Sequence, residues 1–139
     1  MSFREKSAWI SFVCLLAVGG FWFRNVIREE VYHARPGNPM LDFASLLAAL
    51  VVAEVVLHIA IAWRDPKDAR TPRDEREKLI DLKAARVAFY VLMTGGWLAI
   101  GSLHLQFDRL RIADTVLGAI IVAELVKFAT QIALYRRDA

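Results

Sequence analysis

The 139-residue chain contains a single cysteine, Cys14, and therefore cannot form an internal disulfide. It contains three histidines, and no two of them have the spacing of a zinc motif. No serine or cysteine is accompanied by an evident base at a defined spacing. Gly19-Gly20 and Gly95-Gly96 lie inside apolar runs, without the strand and lysine of a phosphate loop. These absences predict that the protein is not an enzyme and has no catalytic residue and no cofactor.

Apolar residues, by contrast, are abundant. They make up 57% of the chain, and the mean hydropathy of +0.38 is too high for an ordinary soluble domain. The formal net charge of +3 comes from lysines and arginines that lie beside apolar runs, so a nucleic-acid partner is not needed to explain it. The composition predicts an all-α integral membrane protein whose partner is membrane lipid.

Four apolar segments predict four membrane spans within one domain, 1–139, arranged as a four-helix transmembrane bundle. The predicted spans are about 8–26, 41–63, 84–105 and 113–134. Thr71 and Pro72, followed by Asp74, have the pattern of a capped helix start. This pattern predicts a cytoplasmic helical extension, about 72–83, that continues into span three. Asp74 and Lys78 have the spacing of an ion pair within a helix.

Lysine and arginine are distributed unequally between the two sides of the predicted membrane. The N-terminal tail, the 64–86 segment and the C terminus together hold 12, whereas the two opposite connections hold five. Because positive residues are enriched on the cytoplasmic side, both termini are predicted to be cytoplasmic. The expected location is the cell inner (cytoplasmic) membrane.

The two halves of the chain share a short motif. VVAEVV at 51–56 returns as IVAELV at 121–126, which makes Glu54 and Glu124 equivalent positions. The match predicts a tandem repeat of two helical hairpins. Small residues are expected to let the helices approach closely; they are Ala49, Ala53, Gly95, Gly101, Gly118 and Ala119.

Polar residues interrupt three of the predicted spans at helical spacing. Glu54 and His58 share one helix face, and Glu124, Lys127 and Gln131 share another. Span three carries a semi-polar stripe made of Tyr90, Thr94, Trp97, Gly101 and His104. These faces are expected to turn away from lipid into the bundle interior, with both glutamates near the middle of their spans.

Three interpretations of the intramembrane polar cluster remain open: glue between helices, a proton or cation pathway, and a metal site with Glu54 and His58 as co-ligands. Their spacing is one residue longer than the Glu-x-x-His of di-metal bundles, which weighs against a metal.

The first functional hypothesis is proton- or cation-linked transport by a homo-oligomer. The alternative is a non-catalytic accessory, regulatory or immunity-type subunit that docks a partner membrane protein through the 64–86 segment.

The stretch DEREKLIDLKAARVAFYVLMTGG, residues 74–96, resembles a segment of small four-span prokaryotic membrane proteins. In those proteins a DER-type acidic-basic motif leads directly into a transmembrane helix. The resemblance implies the same topology here, and it implies no activity and no site residue.

Overall fold

A computed structural model describes residues 3–32, 39–64 and 74–137, and these residues form four helices and no strand. The helices are α1 (Phe3–Tyr32), α2 (Pro39–Arg64), α3 (Glu75–His104) and α4 (Arg109–Arg137). The chain divides into two compact units, Met1–Thr71 and Pro72–Ala139. The first unit contains the hairpin of α1 and α2, and the second contains the hairpin of α3 and α4.

Three of the helices are long and apolar enough to cross a membrane, through Arg4–Glu29, Ala44–Trp63 and Glu75–His104. The fourth predicted span falls within α4, which is 29 residues long but is not one of these three. α1, α2 and α4 extend beyond their predicted spans at both ends, whereas α3 begins before its span and ends at His104, one residue short of it. The extensions arise because backbone hydrogen bonding continues through polar residues that lie outside the apolar stretch.

The N-terminus of α3 is capped by Asp74, whose Oδ1 accepts a hydrogen bond of 2.7 Å from the Glu75 backbone N–H. The predicted start at Thr71 and Pro72 lies outside the described residues. The predicted ion pair between Asp74 and Lys78 is wrong. Lys78 instead pairs with Glu75, at 2.6 Å between Nζ and Oε1, because the Asp74 carboxylate is engaged in capping.

The second hairpin packs through small residues. The buried face of α3 consists of Ile80, Ala84, Ala88, Gly95, Ala99 and Ser102, and the buried residues of α4 are Gly118, Ala123 and Ile132. Gly95 lies against Ala119, so that a Cβ at residue 95 would collide with the Ala119 side chain. Gly95, Gly118 and Ala119 therefore allow the close approach expected from the sequence, whereas Gly101 is exposed.

A four-residue turn, 105–108, reverses the chain between α3 and α4. Gln106 adopts a left-handed backbone conformation with φ of 55°, which is uncommon for a residue with a side chain. Asp108 then caps α4, since its Oδ1 accepts from the Arg109 N–H at 2.8 Å. This short turn makes α3 and α4 direct antiparallel neighbours.

In the first hairpin, α1 and α2 contact each other less extensively than α3 and α4 do. Ala8, Ser11, Leu15 and Trp22 of α1 are buried. None of the described side chains of α2 is buried, although α2 contains the most apolar stretch of the chain. The outer surface of α2 is therefore suited to lipid or to another apolar helix.

Candidate functional site

His58 connects the two helices of the first hairpin. Its Nδ1 lies 2.7 Å from the backbone oxygen of Glu54, and its Nε2 lies 2.7 Å from the hydroxyl of Ser7 on α1. Because a carbonyl oxygen only accepts, Nδ1 must carry the proton. In the neutral ring Nε2 then accepts from the Ser7 hydroxyl. Both ring nitrogens are engaged, so neither offers a lone pair to a metal.

The contact with Ser7 also defines the depth of His58. Ser7 directly precedes the first apolar run, so His58 lies near the end of the hairpin that carries the N terminus. Glu54 lies one helical turn deeper, at about the level of Ser11. Within the described part of the chain, the Glu54 carboxylate forms no hydrogen bond or ion pair, and its side chain is half-buried.

In the second hairpin the polar residues of α4 have partners. Lys127 Nζ lies 2.8 Å from Glu124 Oε2, and both side chains are partly exposed, at 32% and 42%. Lys127 also lies 5.1 Å from the centroid of the Phe128 ring. Gln131 Nε2 donates to Asp81 Oδ1 of α3 at 3.0 Å. Glu124, Lys127 and Gln131 therefore each have a partner within their own hairpin.

The contacts Asp81–Gln131 and Gly95–Ala119 fix the register of α3 against α4. Glu124 follows Ala119 by five residues, so it lies about 7.5 Å along the helix toward the end that carries Asp81, level with Tyr90. This position is nearer the charged end of the hairpin than the mid-span position expected from α4 alone. The reason is that the C-terminal part of α4 runs beside the polar start of α3, not beside its apolar stretch.

The five predicted site residues are thus divided between the hairpins: Glu54 and His58 lie in the first, and Glu124, Lys127 and Gln131 lie in the second. The proposed tandem repeat finds no support, since Glu124 pairs with a lysine whereas Glu54 has no charged partner among the described residues. Among those residues, no group of three or more His, Cys, Asp and Glu side chains could hold a metal ion.

The stripe on α3 does not turn inward as expected. Tyr90 and Trp97 are 64% and 67% exposed, and Thr94, Gly101 and His104 are exposed as well. They lie on the side of α3 opposite the buried small residues, because α4 approaches α3 where the side chains are smallest. Thr94 satisfies its hydroxyl by donating to the Tyr90 backbone oxygen at 2.9 Å.

Asp81 is the polar residue that the sequence interpretation missed. It is spaced from Ala84 and Ala88 so that it adjoins the packed face of α3, and a short antiparallel turn brings that face to Gln131. Small residues at positions three and seven after an acidic residue are therefore the signal that could have identified it.

Comparison with known proteins agrees with a membrane location. Residues 5–139 match a family described as predicted membrane proteins (DUF2178). No curated protein and no solved structure matches the chain. The match covers nearly the whole length, including α2, α3, α4 and all but the first two residues of α1, and the chain therefore belongs to this family of predicted membrane proteins.

Proposed function

We propose that all four helices cross the inner membrane and that each hairpin opens toward the cytoplasm. Three helices meet the length and composition requirement on their own. α4 follows α3 after only four residues and runs antiparallel to it past Gly95 and as far as Asp81. A helix that lies alongside a membrane span over this length passes through the same layer.

Within this topology, we propose that the protein is a non-catalytic accessory subunit that binds a partner membrane protein through the first three turns of α3. The observation that carries this proposal is the exposure of Leu79 and Leu82, at 55% and 65%, in a stretch rich in charged residues. Leucine side chains that are exposed beside the apolar span favour contact with another protein, because such a contact removes their apolar surface from water.

The pairing of the polar residues supports an accessory role. Lys127 neutralises Glu124, Gln131 binds Asp81, and His58 joins Ser7 to the Glu54 backbone. Hydrogen bonds between membrane helices stabilise packing by about 0.6–2 kcal/mol each. These contacts support a structural role, in helix packing, for most of the intramembrane polar residues.

Site-specific photocrosslinking tests the docking surface. A photoreactive residue at Leu82 should give one discrete protein adduct in native membranes, and the same residue at the exposed, apolar Ile100 should not. Leu79→Asn should reduce the Leu82 adduct by weakening the contact. Absence of a protein adduct at Leu82, or an equal adduct at both positions, would contradict the docking role.

Proton- or cation-linked transport is the second candidate, and Glu54 is the observation that favours it. It is a half-buried carboxylate in the most apolar helix, and no charged partner lies near it in the described residues. Intramembrane carboxylates of this kind serve in proton relays. Purified protein in proteoliposomes should then show pH-dependent ion flux that Glu54→Gln abolishes and Gln131→Met leaves in place. Equal flux in wild type and Glu54→Gln, or none in either, would exclude this role.

A further inference from the structure

The outer face of α3 combines two unpaired cations with an apolar groove. Lys83 and Arg86 are exposed, and neither forms an ion pair with any described residue. Tyr90 follows at the next turn on the same face and is 64% exposed. Asp81, the nearest acidic residue of α3, points to the opposite side and binds Gln131. The face therefore has a local positive charge that no neighbouring carboxylate cancels.

An apolar groove of about 350 Å³ lies further along the same hairpin. Its lining residues are Leu92, Met93, Gly96, Trp97 and Ile100 of α3 with Val116 and Ala119 of α4. A Cβ placed on Gly96 would meet nothing within 4 Å, so the groove is open at that point. Since every lining residue is apolar or glycine, the groove suits a hydrocarbon chain.

The distance between the two features matches the dimensions of a phospholipid. The groove residues of α3 begin six residues after Arg86 and end fourteen residues after it, which corresponds to about 9–21 Å along the helix. One leaflet of the hydrocarbon layer is about 15 Å thick. A phosphate held at the level of Arg86 would therefore place its acyl chain along the groove, and Tyr90 would lie between them at the interface.

We propose that this face of the second hairpin is a binding site for an anionic phospholipid, with Lys83 and Arg86 at the headgroup and the Trp97 groove at one acyl chain. Charge complementarity selects the anionic headgroup, because two cations without a counter-ion attract an anionic headgroup more strongly than they attract a zwitterionic one. This inference does not depend on the accessory or the transport role.

Lipid retention measured by native mass spectrometry tests the headgroup contact. The full chain is purified in neutral detergent and loaded with phosphatidylglycerol or with phosphatidylcholine of identical acyl chains. The wild type should retain phosphatidylglycerol preferentially. Lys83→Gln/Arg86→Gln should weaken this retention about thirtyfold, since each juxtamembrane cation contributes about a factor of five. A matched control, Lys78→Gln/Arg137→Gln, removes the same net charge elsewhere and should retain the preference.

Gly96→Leu tests the groove independently. The open space at Gly96 accepts the side chain without disturbing α3, so the helix content by circular dichroism should not change. Retention of long-chain phosphatidylglycerol should fall several-fold, whereas a short-chain analogue should bind as before.

Equal retention of both headgroups by the wild type would overturn the proposal. Equal losses of phosphatidylglycerol retention in the test and control double variants would also overturn it. A disulfide-linked dimer formed by Trp97→Cys in a Cys14→Ala background would also overturn it, by showing that a second copy occupies the groove.

Discussion

Gly95 and Ala119 meet where α3 and α4 pack so closely that only the methyl group of Ala119 lies between their backbones. The Cα of Ala119 lies 3.3 Å from where a Cβ on residue 95 would be, and its Cβ would be closer still. No rotation of a side chain can relieve such a clash, because both groups are attached directly to helical backbones. The spacing of the second hairpin therefore depends on glycine at this position.

Gly95→Ala should destabilise the protein by about 1–3 kcal/mol, the usual cost of overpacking a close contact. Gly96→Ala is the matched control, since it changes the next residue of the same helix into open space. This control should be neutral or up to about 1 kcal/mol stabilising, through the higher helix propensity of alanine. Thermal unfolding of both variants in the same detergent measures the difference. Equal stability of the two variants would contradict the crossing.

Gln131→Met should cost about 1 kcal/mol, because it keeps the length of the side chain but removes the donor to Asp81. Ala129→Met places the same side chain on an exposed position of α4 and should have little effect. Thermal unfolding again gives the measurement. If Gln131→Met is as stable as the wild type, the Asp81 contact does not stabilise the hairpin.

Lys127→Met should destabilise the second hairpin by about 1–3 kcal/mol, since it leaves Glu124 without the cation that lies 2.8 Å away. The double variant Glu124→Gln/Lys127→Met should recover most of this loss, because removing both charges also removes the cost of desolvating them. Chemical or thermal unfolding of the two variants and the wild type tests the order. A double variant that is less stable than the single one would show that the ion pair itself is strongly stabilising.

Thiol labelling should place the two ends of α3 on opposite sides of the membrane. In a Cys14→Ala background, Gln106→Cys should react with an impermeant maleimide from outside intact cells. Arg76→Cys and Arg137→Cys should react only after permeabilisation, since α3 and α4 would each cross once. Labelling of Arg137→Cys and Gln106→Cys from the same side would exclude the crossing of α4.

The helices were largely predictable because the apolar runs and the breakers between them are long and distinct. Span 41–63 and helix Pro39–Arg64 differ by two residues at the start and by one at the end. The capping pattern before span three also predicted that its helix continues well outside the apolar stretch. The sequence did not reveal that Asp74 serves as the cap, because threonine and aspartate both cap helices, and the extended backbone conformation of Asp74 is visible only in the structure.

Side-chain orientation was less predictable than helix position. The stripe of Tyr90, Thr94 and Trp97 was expected to turn inward on the basis of its polarity. The helices instead meet through small residues, because close packing outweighs the modest polarity of a threonine or a tyrosine. The depth of Glu124 was also hidden, since it follows from the register between α3 and α4 and not from the position of Glu124 within its own apolar run.

The ion pair within α4 has a consequence for biogenesis. In the proposed four-span topology, α3 enters the membrane first during synthesis, and α4 follows after the four residues 105–108. Ionised groups within a membrane span oppose its partitioning into lipid, by about 2.5–3.5 kcal/mol each at the centre of the span and by less toward its ends. Glu124 and Lys127 place this cost on α4, the helix that is synthesised later. Asp81 and Gly95, which contact α4, belong to α3, the helix that is synthesised earlier. In that topology, co-insertion of α3 and α4 as a preassembled hairpin would avoid exposing α4 to lipid alone, and we expect the nascent α3 to remain beside the lateral gate until α4 arrives.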